Sequence, residues 1–410
     1  MHGICSDSSL FFHCFLVSST DYEIMVLMSH QHPALISPLV LEWAIARSET
    51  NKDDLAKATG TSSAIVEQWI VGSKQPSFRQ AKTIAKRVRL PFGYLFLDSP
   101  PPDNLPIPDL RTINGESTEE LSVDLRDVVL STLRKQEWLS EHRKELGSQP
   151  IAIVGSVRSD SSSSSVATKI RRWLGLLAPS QRGSSPDEFL RELIKVIENG
   201  GVSVLRSGIV GNNTTRTLKV EEFRGFAISD KYAPFIFINS VDAKAAQIFT
   251  LIHELAHICR GDTGISGGID ADGSIEESFC NKVAADVLVP PTEFAKIWSN
   301  YLELEDAIKG SAKHFHASRY VIAIRAFESG YISRQELTQL LVQFSSESSR
   351  QRTSKGGDFY KTLVVRNGRT FTQSVVNAVA RQQVLVRDAA SLLDAKPSQL
   401  SRVSKEVGRV

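Results

Sequence analysis

The sequence predicts a mainly α-helical protein with a small β-sheet, an α+β fold distributed over more than one domain. At 410 residues the chain is longer than one ordinary domain and long enough for two or three. Apolar residues recur with helical spacing through most of the chain, whereas three segments between residues 202 and 240 are rich in β-branched and aromatic residues. We therefore expect an all-α N-terminal domain, a central domain that contains the sheet, and a helical C-terminal region.

The composition limits the classes of protein to which the chain can belong. A hydrophobic fraction of 41% with 23% charged residues describes a soluble globular protein rather than a disordered one. The net charge is +2, so any affinity for nucleic acid must come from a local patch. The cysteines form no spaced framework, and no apolar run reaches the roughly 18 residues that a membrane span requires. We expect a cytoplasmic protein with no membrane partner. The cysteines are Cys5, Cys14, Cys259 and Cys280.

Residues 1–27 are predicted to be an ill-determined N-terminal extension that is unfolded and outside the domains. The apolar stretch LFFHCFLV has no preceding basic residue and no clear small-residue cleavage site after it, so it fits a signal peptide poorly. Met25 or Met28 is therefore a candidate for the true initiator.

Residues 38–99 are predicted to form a domain of short helices. The segment LVLEWAIAR gives the first helix, and a capping box of Thr50 and Asp53 predicts the start of the second. Gly60 suits the left-handed position that ends this second helix, and the third helix follows after a short turn. Five prolines in DSPPPDNLPIPDLRT then predict a linker over residues 100–123.

The segment DDLAKATGTSSAIVEQWIVGSKQP resembles the helix-turn-helix of the Cro/C1 (XRE) repressor family. The resemblance implies double-stranded DNA as a partner, with the second helix of the motif entering the major groove by its N-terminal end. Ile70 stands where the family usually has an acidic residue, and the small base-facing residues leave the preferred site undefined. Aligning the turn places Ser63, Ala64 and Gln68 at base-facing positions and Lys52, Thr61, Lys74 and Arg79 at phosphate contacts.

The same region carries a local positive charge. Residues 61–89 contain six basic residues and a single acidic residue, Glu67, which is the local excess that binding to phosphates needs. The alternatives are a helical docking module that no longer contacts DNA and a basic face that is simply solvated. The predicted core of the domain comprises Leu55, Ala56, Ile65, Trp69, Ile84 and Ala85.

Residues 124–300 are predicted to form the central domain. Asp124–Leu146 is a long amphipathic helix, the serine-rich RSDSSSSSVA is a flexible loop, and DEFLRELIKVIENGG is a helix that ends at two glycines. The segments VSVLRS, FRGFAISD and APFIFINS are predicted strands.

A further helix is predicted directly after the last of these strands, from about Val241 to Arg260. Asn239 or Ser240 is the expected N-cap, and Gly261 is the expected end of the helix. This helix contains the stretch FTLIHELAHICRG, in which three polar side chains interrupt an apolar sequence.

The three polar side chains form an HExxH motif. His253 and His257 are four residues apart, so a helix places them on one face with convergent imidazoles. Both can bind one zinc ion through nitrogen, and Glu254 lies beside the first ligand, where it can reach the attacking water. A catalytic zinc takes three protein ligands, so we expect one zinc ion per chain and a third ligand elsewhere.

The third ligand is expected on the next predicted helix, residues 275–288. We assign Glu277 to this role because it lies on that helix at a suitable spacing from the motif. Glu276 and Cys280 are weaker alternatives. Less suitable candidates are Cys259, which points to another face of the motif helix, and Asp262, Asp270 and Asp272, which lie in a glycine-rich loop.

The competing interpretation of the motif is an amphipathic helix whose histidines are hydrogen-bonded core residues. Apolar residues surround the motif, however, so burial of the charge on Glu254 without compensation would be costly. This cost favours a bound metal ion.

HELAH followed by EESFCNKVAADVLVP resembles the ImmA/IrrE metallopeptidases, whose pattern is HELGH and then E-x-x-A-N-x-F-A-A-x-L-L-x-P. The resemblance covers about Leu193–Pro291, including the strand pair before the motif. It implies a zincin-like metallopeptidase domain in which His253, His257 and Glu277 bind zinc and Glu254 is the general base.

Three residues depart from the family pattern without removing a ligand. Ala256 replaces the usual glycine, Cys280 replaces an alanine, and Val283 replaces a phenylalanine. The Cys280 thiol is a conceivable redox handle, but a packing role is the stronger expectation.

The activity implied by this resemblance is hydrolysis of a peptide bond within a protein. Glu254 would take a proton from water and pass it to the leaving amine. The peptidases of this family cut a helix-turn-helix repressor and release stress, phage or mobile-element genes, so we expect such a repressor, or the linker around Pro100–Pro108, as substrate. We further expect PFIFIN to be an edge strand that holds the substrate by backbone pairing, in which case Phe237→Pro should destroy cleavage and spare zinc binding.

The remaining segments are predicted as a helical extension (301–345), a polar linker (346–358) and a C-terminal helical region (359–410) with a second helix-turn-helix rhythm. The glycine-rich GDTGISGG is predicted to be a mobile connection beside the active site. His314 and His316 lack neighbouring acids or thiols, so we expect them to be surface or packing residues.

The leading hypothesis joins the two modules in a cytoplasmic, DNA-binding zinc metallo-endopeptidase. Its partners would be double-stranded DNA and a protein substrate, expected to be a helix-turn-helix repressor, and a homodimer remains open. The first alternative is a transcriptional regulator or antitoxin-like DNA-binding protein whose zinc site is structural or sensory. The second is a protein-interaction adaptor with neither activity.

Overall fold

The structure is a computed structural model that describes residues 32–48, 50–101, 121–158, 160–176, 183–266, 275–347 and 357–408. The chain separates into two compact units, Met1–Asn104 and Leu105–Val410. The boundary falls in the segment predicted to be a linker, most of which lies outside the described residues, as does the predicted N-terminal extension. The mainly α-helical fold with a small sheet is confirmed.

The first unit is a bundle of short helices around one apolar core. Its core includes Trp69, Leu55 and Ile84, each 2% exposed or less. Of the predicted core residues, only Ile65 is not fully buried, and its neighbour Val66 takes the interior position. The helices are α1 (Pro38–Arg47), α2 (Lys52–Thr59), α3 (Ser63–Ile70) and α4 (Phe78–Arg87), followed by a 3₁₀ turn (Phe92–Phe96).

The start of α2 differs by one residue from the prediction. Asn51 is the N-cap, and its side chain accepts a hydrogen bond of 2.7 Å from the backbone N–H of Asp54. The predicted box of Thr50 and Asp53 was wrong because Asn51 offers the better cap directly before the first helical residue. Gly60 ends the helix in the left-handed conformation with φ of 66°, as predicted.

The second unit is built on a four-stranded mixed sheet with strand order β1-β5-β4-β6. Strands β1 and β5 are parallel, and β4 is antiparallel to both β5 and β6. A separate two-stranded hairpin joins β2 and β3, neither of which the sequence predicted. The strands are β1 (Ser203–Ser207), β2 (Ile209–Val210), β3 (Asn213–Thr217), β4 (Gly225–Ile228), β5 (Phe235–Asn239) and β6 (Gly264–Ser266).

The helices of the second unit lie on both faces of this sheet. Within the described ranges, none of them combines the length and apolar character that crossing a membrane requires. They are α5 (Val123–Glu145), α6 (Ser163–Trp173), α7 (Pro186–Asn199), α8 (Lys244–Arg260), α9 (Ile275–Leu288), α10 (Pro291–Trp298), α11 (Leu304–Phe315), α12 (Arg319–Glu328), α13 (Arg334–Glu347), α14 (Phe359–Asn367), α15 (Arg369–Ala380), α16 (Val386–Leu392) and α17 (Leu400–Val407).

Strand β5, the PFIFIN segment, is an interior strand, so its predicted role as a substrate-holding edge was wrong. Its backbone pairs with β1 on one side and with β4 on the other; Phe237 pairs with both Leu205 and Phe226. A proline at Phe237 would therefore break the sheet itself and cannot report on substrate pairing.

The serine-rich segment predicted to be a loop instead begins helix α6. The Ser162 side chain accepts a hydrogen bond from the N–H of Ser165 and caps the helix, whose Val166 and Ile170 are buried. Serine is a strong N-cap residue, so a serine run directly before an apolar periodic segment marks a helix start.

Helix α8 begins three residues later than predicted, at Lys244. Asn239 does not cap it, because this residue ends β5 and its amide donates to the carbonyl oxygens of Lys219 and Phe223. Gly261 ends the helix with φ of 88°, as predicted.

The sheet separates two apolar clusters, and the C-terminal helices belong to one of them. On one face, β5 contributes Ile236 and Ile238 to a cluster formed with α6 to α9. On the other face, Phe235 and Phe237 pack with α5 and with helices α14 to α17. The C-terminal region therefore forms a layer of the second unit, with Phe371 in edge-to-face contact with Phe235 at 5.7 Å between ring centroids.

A buried carboxyl group joins helix α7 to this C-terminal layer. Glu198 accepts a hydrogen bond of 3.2 Å from the N–H of Thr370 in the first turn of α15. Gly368 precedes that turn, and a Cβ there would lie 2.8 Å from the carbonyl oxygen of Val204. Burial raises the pKa of Glu198 from its usual 4.5 to about 7, although the backbone N–H groups around it act in the opposite direction.

Replacing Glu198 with glutamine should remove part of the pH dependence of folding. Because the folded-state pKa is raised, the protonated carboxyl group favours folding below pH 4.5, and this contribution is lost as the pH rises to about 7. The free energy of unfolding of the wild type should fall by about 3 kcal/mol more than that of Glu198→Gln over this interval. Urea denaturation at a series of pH values measures the difference, and Glu192→Gln on the exposed face of α7 is the control. Parallel profiles for wild type and Glu198→Gln would contradict this assignment.

Candidate metal centre

Helix α8 places the HExxH side chains in the interior of the second unit. The helix packs on β4 and β5 and between α7 and α9. All but a few of its residues are buried, so the polar motif lies in apolar surroundings, with Leu251, Ile252 and Leu255 fully buried. His253, Glu254 and His257 are themselves 4%, 0% and 1% exposed.

Three side chains from α8 and α9 converge on one point. The Nε2 atoms of His253 and His257 lie 3.1 Å apart. The carboxylate oxygens of Glu277 lie 3.2 Å from the first of these nitrogens and 3.1 Å from the second. Ligands of a tetrahedral zinc ion, each about 2.05 Å from the metal, are separated by roughly 3.3 Å. The cluster therefore has the dimensions of a three-ligand metal site, and the residues present fit such an ion.

Glu277 reaches the cluster from the first turn of α9. Helix α9 packs closely against α8, with the small, fully buried Ala284 farther along it. Glu276, the neighbouring alternative, has an exposed side chain. Cys280 is buried but does not belong to the converging group of ligand atoms.

The other candidate ligands do not join the cluster. Asp262 forms an ion pair of 2.6 Å with Arg260, and Cys259 is buried among apolar residues. Asp270 and Asp272 lie outside the described residues, as do the last two residues of the predicted glycine-rich connection, 267 and 268. Residues 261–266 of that connection are described, and Gly264–Ser266 among them form strand β6, which corrects the prediction of a mobile segment.

The charge states of the cluster suit metal binding. Burial raises the pKa of the Glu277 carboxyl group, but hydrogen bonds from His253 and His257 outweigh burial and lower the pKa to about 2. Burial also lowers the pKa of His253, and the neighbouring Glu277 only partly offsets this effect. Ionised carboxylate and neutral imidazole are the forms that act as metal ligands.

Glu254 lies beside the cluster as a buried carboxyl group without a hydrogen-bond partner among the described residues. Both of its side-chain oxygens are buried. Burial raises the pKa of Glu254 well above its usual value, and the charge of Glu277 raises it further. A cation between the two carboxyl groups would compensate this unfavourable arrangement.

The two buried cysteines show no sign of a redox role. Burial raises the pKa of Cys259 to about 12 and raises that of Cys280 even further. Both thiols belong to the apolar cluster around α8, so packing accounts for them. His316 is likewise a packing residue, with its ring 5.7 Å from that of Phe189 between centroids.

Two residues of the site were missed by the sequence reasoning, Gly225 on β4 and Ser266 on β6. A Cβ at Gly225 would lie 2.9 Å from Glu254 Oε1, and Ser266 Oγ lies 3.5 Å from Glu277 Oε1. The only signal for the glycine was its position inside a strand pattern, which often marks a close approach of other groups. Strand β6 is too short to have given a signal for Ser266.

In the first unit, α2 and α3 follow each other with Gly60, Thr61 and Ser62 between them. Two predicted DNA contacts already have partners within this unit. Lys52 forms an ion pair with Glu67, and the Ser63 hydroxyl donates a hydrogen bond to Asp53. Thr61 is half-buried in the turn. The exposed predicted contacts are Ala64 and Gln68 on α3, Lys74 after it, and Arg79 on α4.

A protein-family model matches the part of the chain that contains the metal centre. Residues 211–327 match the model of peptidase family M78, described as an IrrE N-terminal-like domain. This range contains the HExxH helix and Glu277, and it excludes the first unit. The match supports a metallopeptidase domain of the ImmA/IrrE type. Neither the curated proteins nor the solved structures searched yielded a match to the chain.

Proposed function

We propose that the second unit is a zinc-dependent endopeptidase. The observation that carries this proposal is the convergence of His253, His257 and Glu277 directly beside the unpaired, buried carboxyl group of Glu254. Two imidazoles and one carboxylate are a ligand set typical of catalytic zinc, and they leave a fourth position for water or substrate.

Each residue then has one role in hydrolysis. His253, His257 and Glu277 would hold zinc, which supplies a Lewis acid that polarises the scissile carbonyl and makes water more acidic. Glu254 accepts a proton from the attacking water and delivers it to the nitrogen of the leaving amine. The apolar packing around α8 excludes bulk water from this proton transfer.

The free edge of strand β6 is the proposed place for an extended substrate. Among the described residues β6 pairs only with β4, so its other edge is available for backbone pairing, and β6 ends at Ser266 beside the metal cluster. This edge replaces β5 as the proposed substrate strand.

The proposed substrate is a helix-turn-helix repressor encoded near this gene. The experiment incubates such repressors with zinc-loaded protein, with protein treated with a chelator, and with chelated protein to which zinc is restored. The proposal expects one internal cut that the chelator abolishes and zinc restores. Cleavage that survives complete removal of metal would contradict it.

We also propose that the first unit binds double-stranded DNA. The exposed positions of Gln68, Lys74 and Arg79 around α3 support this proposal, whereas Lys52 and Ser63 would first have to release their partners on the neighbouring helix. Surface ion pairs contribute little to stability, so this rearrangement costs little.

Two substitutions distinguish base recognition from phosphate contact. Gln68→Ala should weaken binding to the preferred sequence by about 1–3 kcal/mol and relax sequence preference. Lys74→Ala should weaken binding to all sequences and reduce the slope of log K against log salt by about one. Titration of DNA from the gene's own promoter at several salt concentrations measures both effects, with Lys195→Ala in the second unit as control. No binding by the wild type even at low salt would favour a docking module.

The alternative is a DNA-binding regulator whose zinc site is structural or sensory, and the burial of the cluster favours it. All three ligand residues are 5% exposed or less, and closed sites are typical of structural zinc. Stoichiometric zinc, a loss of stability on zinc removal and no cleavage of any repressor would establish this alternative.

A further inference from the structure

Gly225 and Ser266 lie opposite each other beneath the carboxyl groups of the metal centre. They are register partners on the adjacent antiparallel strands β4 and β6. Both are buried, and they lie on the sheet face that α8 covers.

Gly225 leaves open a space that the side chain of any other residue would fill. Its backbone is not in the left-handed region, so conformation does not require glycine there. A Cβ would instead lie 2.6 Å from Thr250 Cγ2, 2.8 Å from the Phe237 carbonyl oxygen and 2.9 Å from Glu254 Oε1. Glycine therefore lets α8 approach β4 and leaves room for the Glu254 carboxyl group at its present position.

Ser266 brings its hydroxyl group to the carboxyl group of the ligand Glu277. Its hydroxyl donates to Glu277 Oε1 over a distance of 3.5 Å. Ser266 is 1% exposed, so bulk water cannot replace this contact. A buried donor on a ligand carboxylate restricts the orientation of that carboxylate.

We propose that Gly225 and Ser266 are positioning residues of the metal centre. Gly225 would keep the Glu254 carboxyl group beside the reacting atoms, and Ser266 would orient Glu277 toward the two imidazoles. This inference rests on the proposed peptidase function, but it makes separate predictions for metal affinity and for stability. Supporting residues around a metal ligand typically change affinity or activity by about 10- to 100-fold.

Gly225→Ala tests the first half of the proposal in the full-length, zinc-loaded protein. We expect kcat to fall by about 100-fold or more, KM to change less than threefold, and the zinc Kd to stay within threefold, because the ligands are not displaced. Gly93→Ala, at an open position with nothing within 4 Å of the added methyl group, is the matched control.

A double-mutant cycle separates the carboxyl contact from general crowding. Gly225→Ala should lower the Tm, and it should lower the Tm less when Glu254 is already alanine, because the contact with Glu254 Oε1 is then gone. Additive changes in Tm would overturn the role of Gly225, even if the protein proved to have no peptidase activity.

Ser266→Ala tests the second half through the zinc Kd, measured by competition with a chelator. We expect the Kd to rise by about 10-fold. Ser203→Ala is the matched control. Ser203 is a buried serine on β1, the strand at the opposite edge of the sheet from β6, and its hydroxyl has no hydrogen-bond partner among the described residues. An unchanged Kd for Ser266→Ala, or an equal rise for Ser203→Ala, would overturn the role of Ser266. Tight zinc binding by wild type without cleavage would instead reject the peptidase function alone.

Discussion

Replacing Glu254 with glutamine is expected to lower the rate of repressor cleavage by about 10²- to 10⁴-fold while leaving one zinc ion per chain. Glutamine keeps the shape of the side chain and cannot accept the proton of the attacking water. The metal should remain because His253, His257 and Glu277 form a complete three-ligand set without Glu254. Single-turnover cleavage and metal analysis of the same preparations give the two measurements.

The matched control for this experiment is Glu276→Gln, which changes an exposed glutamate one residue away from the ligand on α9. It should retain both zinc and activity. If Glu254→Gln cleaved the repressor within threefold of the wild type, the proton would have to be accepted by another group and the proposed mechanism would be wrong.

Replacing Glu277 with alanine is expected to raise the zinc Kd by more than about 100-fold, the upper end of what a supporting residue contributes. The two imidazoles would remain, but two ligands do not define a structural or catalytic zinc site. Zinc should then no longer raise the Tm of the variant, because stabilisation by a ligand requires tight binding to the folded state. Thermal unfolding with and without zinc, together with competition against a chelator, measures both effects.

Glu276→Ala is the matched control, because Glu276 and Glu277 lie on the same turn of the same helix. The prediction fails if zinc raises the Tm of Glu277→Ala as much as that of the wild type. In that case Cys280→Ala would be the next variant to test, since Cys280 is the remaining alternative for the third ligand.

The metal centre could be predicted from the sequence because its geometry is largely local. The spacing of His253 and His257 sets their relative position on any helix, and Glu277 lies in the first turn of the following helix. Helix ends were harder to predict from the sequence. Asn51 rather than Thr50 caps α2, and Asn239 ends β5 instead of capping α8. Neighbouring polar residues compete for the cap, and tertiary contacts decide which one is used.

The strand order could not be predicted from the sequence, because it depends on contacts between residues far apart in the chain. Nothing local distinguishes an edge strand from the interior strand β5, whose five residues are buried on both faces. The same limit applies to Gly225 and Ser266, which meet only through the pairing of β4 with β6. The C-terminal helices also follow a polar segment that predicts a linker, yet they cover the second face of the sheet.

The central claim is that two imidazoles and one carboxylate hold a zinc ion in the second unit. X-ray absorption at the zinc edge of the zinc-loaded, full-length protein tests it most directly. The account predicts nitrogen and oxygen ligands at about 2.0–2.2 Å, including two imidazoles, and no sulfur ligand. A sulfur shell at about 2.3 Å, or a spectrum unchanged by Glu277→Ala, would contradict it.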